Sequence, residues 1–346
     1  MGGETTAMKA LITGGGGFLG GAIVRALLER GDSVNTLQRG HYPELQRPGI
    51  TVYRSDITDK DTVINAGKGC DVVFHVAAKT GVWGRYRDYY QTNVIGTEGI
   101  IEACLKNGSK RLVYTSSPSV VFHGGDEENI NESAPYPQRY LNHYQATKAQ
   151  AERKVLAANC KELATVALRP HLIWGPGDPH LIPRIIDRAR SGRLRLVNTR
   201  SKRVDSTYLD NAVSAHLLAA DVLHPGSHCS GKAYFISNSE PIPMTELVNR
   251  ILAAANMPPN SKTVSPHVLY FAGAVSEIIY KLFAIQHEPM MTRFIARQLT
   301  CSHWYDLTAA RRDFGYNPQI SIEEGMRRLA QALNDCHDPS LEKSSV

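Results

Sequence analysis

Tyr144 and Lys148 are the pair whose types and spacing most directly suggest chemistry. Four residues apart on a helix, they lie on one face, one turn from each other. A phenol has a pKa of about 10 and is a poor acid or base at neutrality. A neighbouring ammonium favours its ionised form and brings it toward a useful range. Tyr-x-x-x-Lys alone also arises in ordinary exposed helices, so a third group must join it. Tyr114-Thr-Ser-Ser-Pro-Ser119 closes a strand-like run upstream. A hydroxyl at the carboxyl end of a strand in an open parallel sheet faces the ligand crevice and could hydrogen-bond a carbonyl oxygen. The run supplies such a hydroxyl, while His143, beside the tyrosine, reads as structural.

A second cluster is built for phosphate. Thr13-Gly14-Gly15-Gly16-Gly17-Phe18-Leu19-Gly20 lies between a strand-like run and a helical one. Glycine there lets the backbone turn sharply and approach a pyrophosphate, and the helix opening at Phe18 and Leu19 offers free N–H donors and the positive dipole end. The next strand ends in Leu37-Gln38-Arg39-Gly40. An acid at that place would bind a ribose 2′-hydroxyl, whereas an arginine accommodates a 2′-phosphate, so Arg39 points to NADP(H). Asp56 and Ile57, after the third strand, suit the adenine edge; Asp56 equally suits a helix N-cap.

The elements that must position these groups alternate in type. Strand-like runs fall at Lys9–Thr13, Ser33–Leu37, Thr51–Tyr53, Asp71–His75, Lys110–Thr115 and Ala164–Leu168, with helical patterns at Phe18–Arg30, Asp88–Asn107 and Leu141–Asn159. That alternation predicts an α/β, Rossmann-type doubly wound parallel sheet. After Arg169-Pro170 the turn cluster Gly175–Pro179 marks a change, and helices dominate beyond it. We expect a dinucleotide-binding domain over 8–175, with 203–238 returning to it, and a smaller, mainly helical substrate cap from 176–202 and 239–335. The helical run Val268–Ile285 is rich in apolar and aromatic residues, with Glu277 and Lys281 four apart. It suits a core-packed helix, a lid over an apolar substrate, or a helix resting on a membrane surface.

Composition excludes several classes. The 346 residues carry Lys+Arg 39 against Asp+Glu 33, a net charge of +6, and the charges are scattered without blocks. This pattern argues for no nucleic-acid partner. Thirteen histidines form no HExxH spacing, so no protein-bound metal is expected. The six cysteines (Cys70, Cys104, Cys160, Cys229, Cys301 and Cys336) form no CxxC pair, which suits reduced thiols in the cytoplasm. Met1–Thr6 formally fits an N-myristoylation pattern and is read as a polar tail; no run is long enough to span a membrane.

Taken together, these motifs resemble the extended short-chain dehydrogenases/reductases, and the resemblance covers nearly the whole chain. The family's TGxxGxxG corresponds to Thr13–Gly20, its catalytic serine to Ser117, with Ser116 the neighbouring alternative, and its tyrosine and lysine to Tyr144 and Lys148. His75-Val-Ala-Ala78 resembles the loop flanking the cofactor, implicating Ala77. Asn93-Val-Ile-Gly-Thr97 resembles the following helix, where Asn93 could serve a water relay, and Arg169-Pro170 the segment near the nicotinamide, which implicates Pro170. Leu168–Asp178 and Ile236–Pro243 are similar to the 3β-hydroxysteroid dehydrogenase and sterol decarboxylase branch. Gln38–Pro43, Ala78–Gly84 and Val204–Tyr208 are similar to bacterial reductases of long-chain olefin biosynthesis. That likeness implies NADPH-dependent reduction of a long-chain 2-alkyl-3-oxoalkanoate, a β-keto acid, to the 3-hydroxy acid. It would make Trp83 a pocket residue and require a cation for the carboxylate, with Lys79, Arg85 and His171 as candidates. A steroid or sterol dehydrogenase and a sugar-nucleotide epimerase or dehydratase are the alternatives. A homodimer, an assembly with other enzymes of that pathway and peripheral membrane contact are further expectations of the reading.

Overall fold

A computed structural model of the protein describes residues 7–335 apart from 198, 200 and 201. The Met1–Thr6 tail and Cys336 lie outside the described residues. In chain order the elements are β1 (Lys9–Thr13), α1 (Phe18–Glu29), β2 (Ser33–Gln38), β3 (Ile50–Arg54), α2 (Lys60–Ala66), β4 (Val72–His75), α3 (Tyr86–Tyr90), α4 (Gly96–Asn107), β5 (Arg111–Thr115), β6 (Glu127–Ile130), α5 (His143–Ala157) and β7 (Ala164–Pro170). There follow β8 (Ile173–Trp174), α6 (Leu181–Arg190), β9 (Leu196–Val197), β10 (Arg203–Val204), β11 (Thr207–Tyr208), α7 (Leu209–Val222), β12 (Lys232–Ile236), β13 (Ile242–Pro243) and α8 (Met244–Ala254). The chain ends with β14 (Thr263–Val264), α9 (Pro266–Leu282), α10 (Arg293–Thr300), β15 (His303–Tyr305), α11 (Thr308–Phe314) and α12 (Ile322–Asp335).

Seven strands form one parallel sheet in the order β12-β7-β5-β4-β1-β2-β3. Strand alternation explains why both faces are covered. Ala10, Ile12, Val72, Phe74, Val166 and Leu168 point to a core shared with α1 and α7, while Leu11, Val73, Leu112 and Ala167 point to a second core under α2, α4 and α5. The order reverses between β1 and β4, so the crevice for a ligand opens beyond their carboxyl ends. The protein therefore has the α/β, doubly wound architecture that the strand and helix alternation predicts.

A third core holds α6, α8 and α12 together through Ile182, Ile186, Leu247, Ile251, Ile322 and Leu329. The return of the chain is more interleaved than two blocks. α7 and β12 join the main sheet layer, yet β10 pairs with β13, β15 and not with that sheet. Tyr305, Leu307, Ala310, Phe314 and Tyr316 pack into the first core, so the stretch 303–316, read from sequence as part of the cap, leans on the dinucleotide domain. Nothing in its local periodicity distinguishes the two cores. No helix among the described residues is long and apolar enough to cross a membrane.

Candidate active site

The glycine turn is shaped by what a side chain would hit. A Cβ on Gly20 would stand 2.1 Å from the Gly14 carbonyl oxygen, and one on Gly14, whose φ is +73°, would stand 3.2 Å from the Ala77 backbone. The turn thus packs between the start of α1 and the end of β4 only because these positions lack side chains. Gly17 is the N-cap of α1 and provides no side-chain cap, and no acid follows in the first turn. The first N–H groups of α1 face the groove with a bare positive helix end.

That groove encloses about 400 Å³ and is lined by Gly14, Gly17, Phe18, Leu19, Arg39, Asp56, Ile57 and Ala77, all of them residues singled out from the sequence. It also brings in Gln38, Tyr42, Ser55, Thr80, Thr92 and His180, which sequence reasoning missed. His180 arrives from the cap, at the N-cap of α6, a proximity that only the tertiary fold creates. Gln38 did carry a legible signal, since it sits beside Arg39 at the end of β2. Its side chain is 8% exposed, and neither its amide nitrogen nor its oxygen has a partner. An unpartnered buried amide on a groove of this shape, with a bare helix end and a cradle that side chains would fill, fits a dinucleotide. Arg39 stands 76% exposed at the rim, 3.8 Å from Asp56. Asp56 is not the N-cap of α2; Asp59 is, and Asp56 accepts instead from the Thr58 N–H and hydroxyl, which hold its carboxyl below the usual range.

Beyond β5 the chain makes one turn of tight helix, with Ser117 at its start. The Ser117 hydroxyl accepts from the Ser119 N–H and lies 2.9 Å from the Ser119 hydroxyl. α5 begins with Asn142 as N-cap, its side chain accepting from the Gln145 N–H at 2.8 Å, which puts Tyr144 in the first helical turn. Gln145 then fixes the two pieces together: buried, it donates to the Ser119 and Phe122 carbonyls. Burial pushes the Tyr144 phenol above its ordinary value, and Ser117 lies close enough to pull it the other way. The positive end of α5 acts in the same direction as Ser117. Ser116 is different. It is buried and turned toward Glu152, so Ser117 is the serine that faces the tyrosine.

Lys148 gives its hydrogen bond to the end of β5 and not to Tyr144. Its ammonium donates to the Thr115 carbonyl at 2.6 Å and sits 4.2 Å over the Tyr114 ring. Burial lowers its pKa to about 7, with Glu152 opposing that shift. Glu152, two turns further into α5 than Tyr144, is fully buried and accepts from Arg169 at 3.0 and 2.6 Å and from the Tyr136 hydroxyl at 2.6 Å. Arg169 is therefore an anchor of α5 on β7. Pro170 ends that strand, buried opposite Ile236, and does not line the groove.

A chain of hydrogen bonds positions the loop in front. Thr13 Oγ1 accepts from the Val76 and Ala77 N–H groups, so its own proton goes to His75 Nδ1 at 2.8 Å. His75 then donates from Nε2 to Thr97, whose hydroxyl donates to the Asn93 carbonyl at 2.6 Å. Burial holds the His75 pKa at about 3, which keeps the ring neutral and the chain intact. Asn93 lies in a π-turn over Gln91–Ile95 that interrupts the single helix expected for 88–107. Its side chain pairs with both the N–H and the carbonyl of Lys79 and donates to Thr147. Asn93 thus holds the loop against α5 and does not line the groove.

A second cavity, of about 300 Å³, adjoins His143 at the start of α5. Trp83 lines it, as the resemblance implied, and the Trp83 indole donates to the Ile285 carbonyl while the Val82 N–H donates to Glu288, stitching loop to cap. Two candidate carboxylate ligands fall elsewhere. His171 is packed between His303 and Tyr305, bonded to the Asp205 carbonyl, with burial lowering its pKa to about 3. Lys79 points its ammonium over the Tyr89 ring and is not part of the cavity wall. α9 covers the cavity with Glu277, Tyr280 and Lys281. It is not core-packed, because Gly273 is its only buried residue, and Phe271 and Leu282 on the outer face are 70% and 76% exposed. Nor do Glu277 and Lys281 pair, since Glu277 binds Arg293.

A groove fit for a dinucleotide beyond β1 and β4, and a Ser–Tyr pair beyond the neighbouring β5 that lines neither cavity, together suit an oxidoreductase. The chain belongs to the 3-beta hydroxysteroid dehydrogenase/isomerase family, which matches residues 11–267. Among its relatives is a "2-alkyl-3-oxoalkanoate reductase" of Stenotrophomonas maltophilia, 54% identical over 93% of this chain and 98% of that protein. A "Sterol-4-alpha-carboxylate 3-dehydrogenase, decarboxylating" of Mus musculus is 34% identical over 95% of this chain and 91% of that protein. The solved structure "MoeE5 in complex with UDP-glucose and NAD" shares the fold, with a TM-score of 0.74 at 24% identity, over 95% of this chain and all of that one.

Proposed function

We propose that the protein reduces the ketone of a long-chain 2-alkyl-3-oxoalkanoate to the 3-hydroxy acid with NADPH, as a step of olefin biosynthesis. The observation that carries the proposal is the pairing of a 54% identical relative of that name with a site having Arg39, and no acid, at the end of β2. The bare N-terminus of α1 would hold the pyrophosphate, Arg39 the 2′-phosphate, and Lys148 the ribose beside the nicotinamide. When bound, the cofactor supplies the hydride that adds to the ketone carbon. Tyr144 gives its proton to the ketone oxygen, a role suited to a phenol that burial keeps protonated. Ser117 donates a hydrogen bond to the same oxygen as negative charge grows on it. Gln145 holds these two groups in register, and Asn93 holds the facing loop.

A sterol or 3β-hydroxysteroid substrate is the second reading, favoured by the family match and the 34% identical sterol dehydrogenase. NADPH consumption with a 2-alkyl-3-keto acid, a 3-ketosteroid and a UDP-sugar, each repeated with NADH, separates the readings. We expect turnover with the keto acid and NADPH, reduced about 10²- to 10⁴-fold in kcat by Tyr144→Phe in a folded variant. Turnover of the steroid alone, or near wild-type rates in Tyr144→Phe, overturns the proposal.

A further inference from the structure

We propose that Lys281 of α9 and Arg85 at the start of α3 form a carboxylate-binding subsite in the cavity next to His143, built to hold the acid group of the substrate. This rests on the β-keto acid reading above and adds to it the residues that read the acid.

The charge balance of the second cavity points there. Its wall carries three cations, Arg85, Lys281 and Arg293, against one acid, Glu277. Glu277 is already used: it accepts from the Arg293 backbone N–H at 2.7 Å and from the Arg293 guanidinium at 2.8 and 2.7 Å. Arg293 and Glu277 therefore cancel and clamp α9 to the start of α10. Arg85 and Lys281 have no carboxylate within 4.0 Å among the described residues. His143 also stands on the wall, where burial and, secondarily, the Lys281 ammonium hold its pKa below the ordinary value.

The placement matches the chemistry of the ligand. In a β-keto acid the carboxylate is attached to the carbon next to the ketone, so its anion must be met close to the proton donor. Trp83, Ile285 and Phe294 form apolar wall in the same cavity, which suits alkyl chains leaving a carboxylate held at its rim. Trp83 is locked by its bond to Ile285 and its carbonyl by Tyr89, so the loop bearing Arg85 is tied to the cap bearing Lys281. Nothing in sequence links 85 to 281; the contacts of Val82 and Trp83 with Glu288 and Ile285 do.

The test compares a 2-alkyl-3-hydroxyalkanoate with its methyl ester, oxidised with NADP⁺, because both are stable in solution whereas the free keto acid slowly loses CO₂ and must be used fresh. Lys281→Gln and Arg85→Gln should each raise KM for the acid roughly tenfold, the scale of one partly solvated charge-assisted hydrogen bond. The ratio of kcat/KM for acid over ester should fall by the same factor, a change that general loosening of the cap would not produce. Quenching of tryptophan fluorescence by acid and ester, without cofactor, reports binding independently of turnover. Equal changes for acid and ester, or none, overturn the subsite. If the wild type oxidises neither compound yet binds the acid in preference through Lys281, the subsite stands and the proposed reaction falls. If it binds neither, both fall.

Discussion

Replacing Arg169 by Met would leave the Glu152 carboxylate fully buried with the Tyr136 hydroxyl as its main remaining partner. Removing one partner of a buried ion pair costs about 3–5 kcal/mol, since the stranded charge keeps its desolvation penalty. Against a total stability of about 5–15 kcal/mol this is large, and it corresponds to a fall in melting temperature of roughly 6–15 °C. The loss should also depend on pH in a defined sense. In the wild type the bonds from Arg169 hold the Glu152 pKa below its ordinary 4.5 despite burial. That stability is present above the unfolded pKa and disappears as pH falls through the folded one. Without the guanidinium, burial dominates and the folded pKa rises above the unfolded value. The variant then keeps its stability below about pH 4.5 and loses it as pH increases. Urea unfolding at pH 4.5 and pH 8 should therefore show a small difference between the proteins at the lower pH and the full difference at the higher. The double replacement of Arg169 by Met and Glu152 by Leu removes the stranded charge and should recover most of the loss. A cost under about 1 kcal/mol at pH 8, or one that does not vary with pH, would refute the view that this pair anchors α5.

Two further tests address the cofactor rim and a buried acid. Arg39→Asp should lower the ratio of kcat/KM for NADPH over NADH about ten- to a hundredfold. Its melting point should stay within a degree or two, because the side chain is exposed and reaches only Asp56; an unchanged cofactor ratio would remove Arg39 from the site. Burial raises the Glu127 pKa to about 7, and His303, 3.7 Å away, is itself held at about 4 and does not neutralise it. The favourable contribution of neutral Glu127 is full below about pH 4.5 and is lost as pH rises through about 7. Glu127→Gln should therefore match the wild type near pH 4.5 and exceed it by up to about 3 kcal/mol above pH 7 in urea melts. Parallel stability profiles for the two proteins would contradict that burial effect.

Local pattern alone carried the dinucleotide turn, the strand and helix alternation, the Tyr144–Lys148 spacing and the arginine after β2. Each is set by short-range geometry: a helix turn, a strand period, or a glycine where no Cβ fits. The groove residues near these motifs were legible for the same reason. What each group does to its neighbours was not. Spacing placed Lys148 beside Tyr144, but the packing of β5 gives the ammonium to the Thr115 carbonyl instead. His171 looked like a cation near the substrate and is a neutral ring in a core, because burial is a property of the whole fold. Asn93 and Gln145 emerged as positioning residues only when loops 14 and 26 residues away in sequence closed on them. Glu277 and Lys281 share one helix turn, yet α10 claims the acid and frees the lysine. The sequence by itself determined which chemistry the chain can hold, since side-chain types and local periods are written in it. Tertiary structure decided which polar group each charge meets and which stay unpaired, because those contacts join residues far apart along the chain.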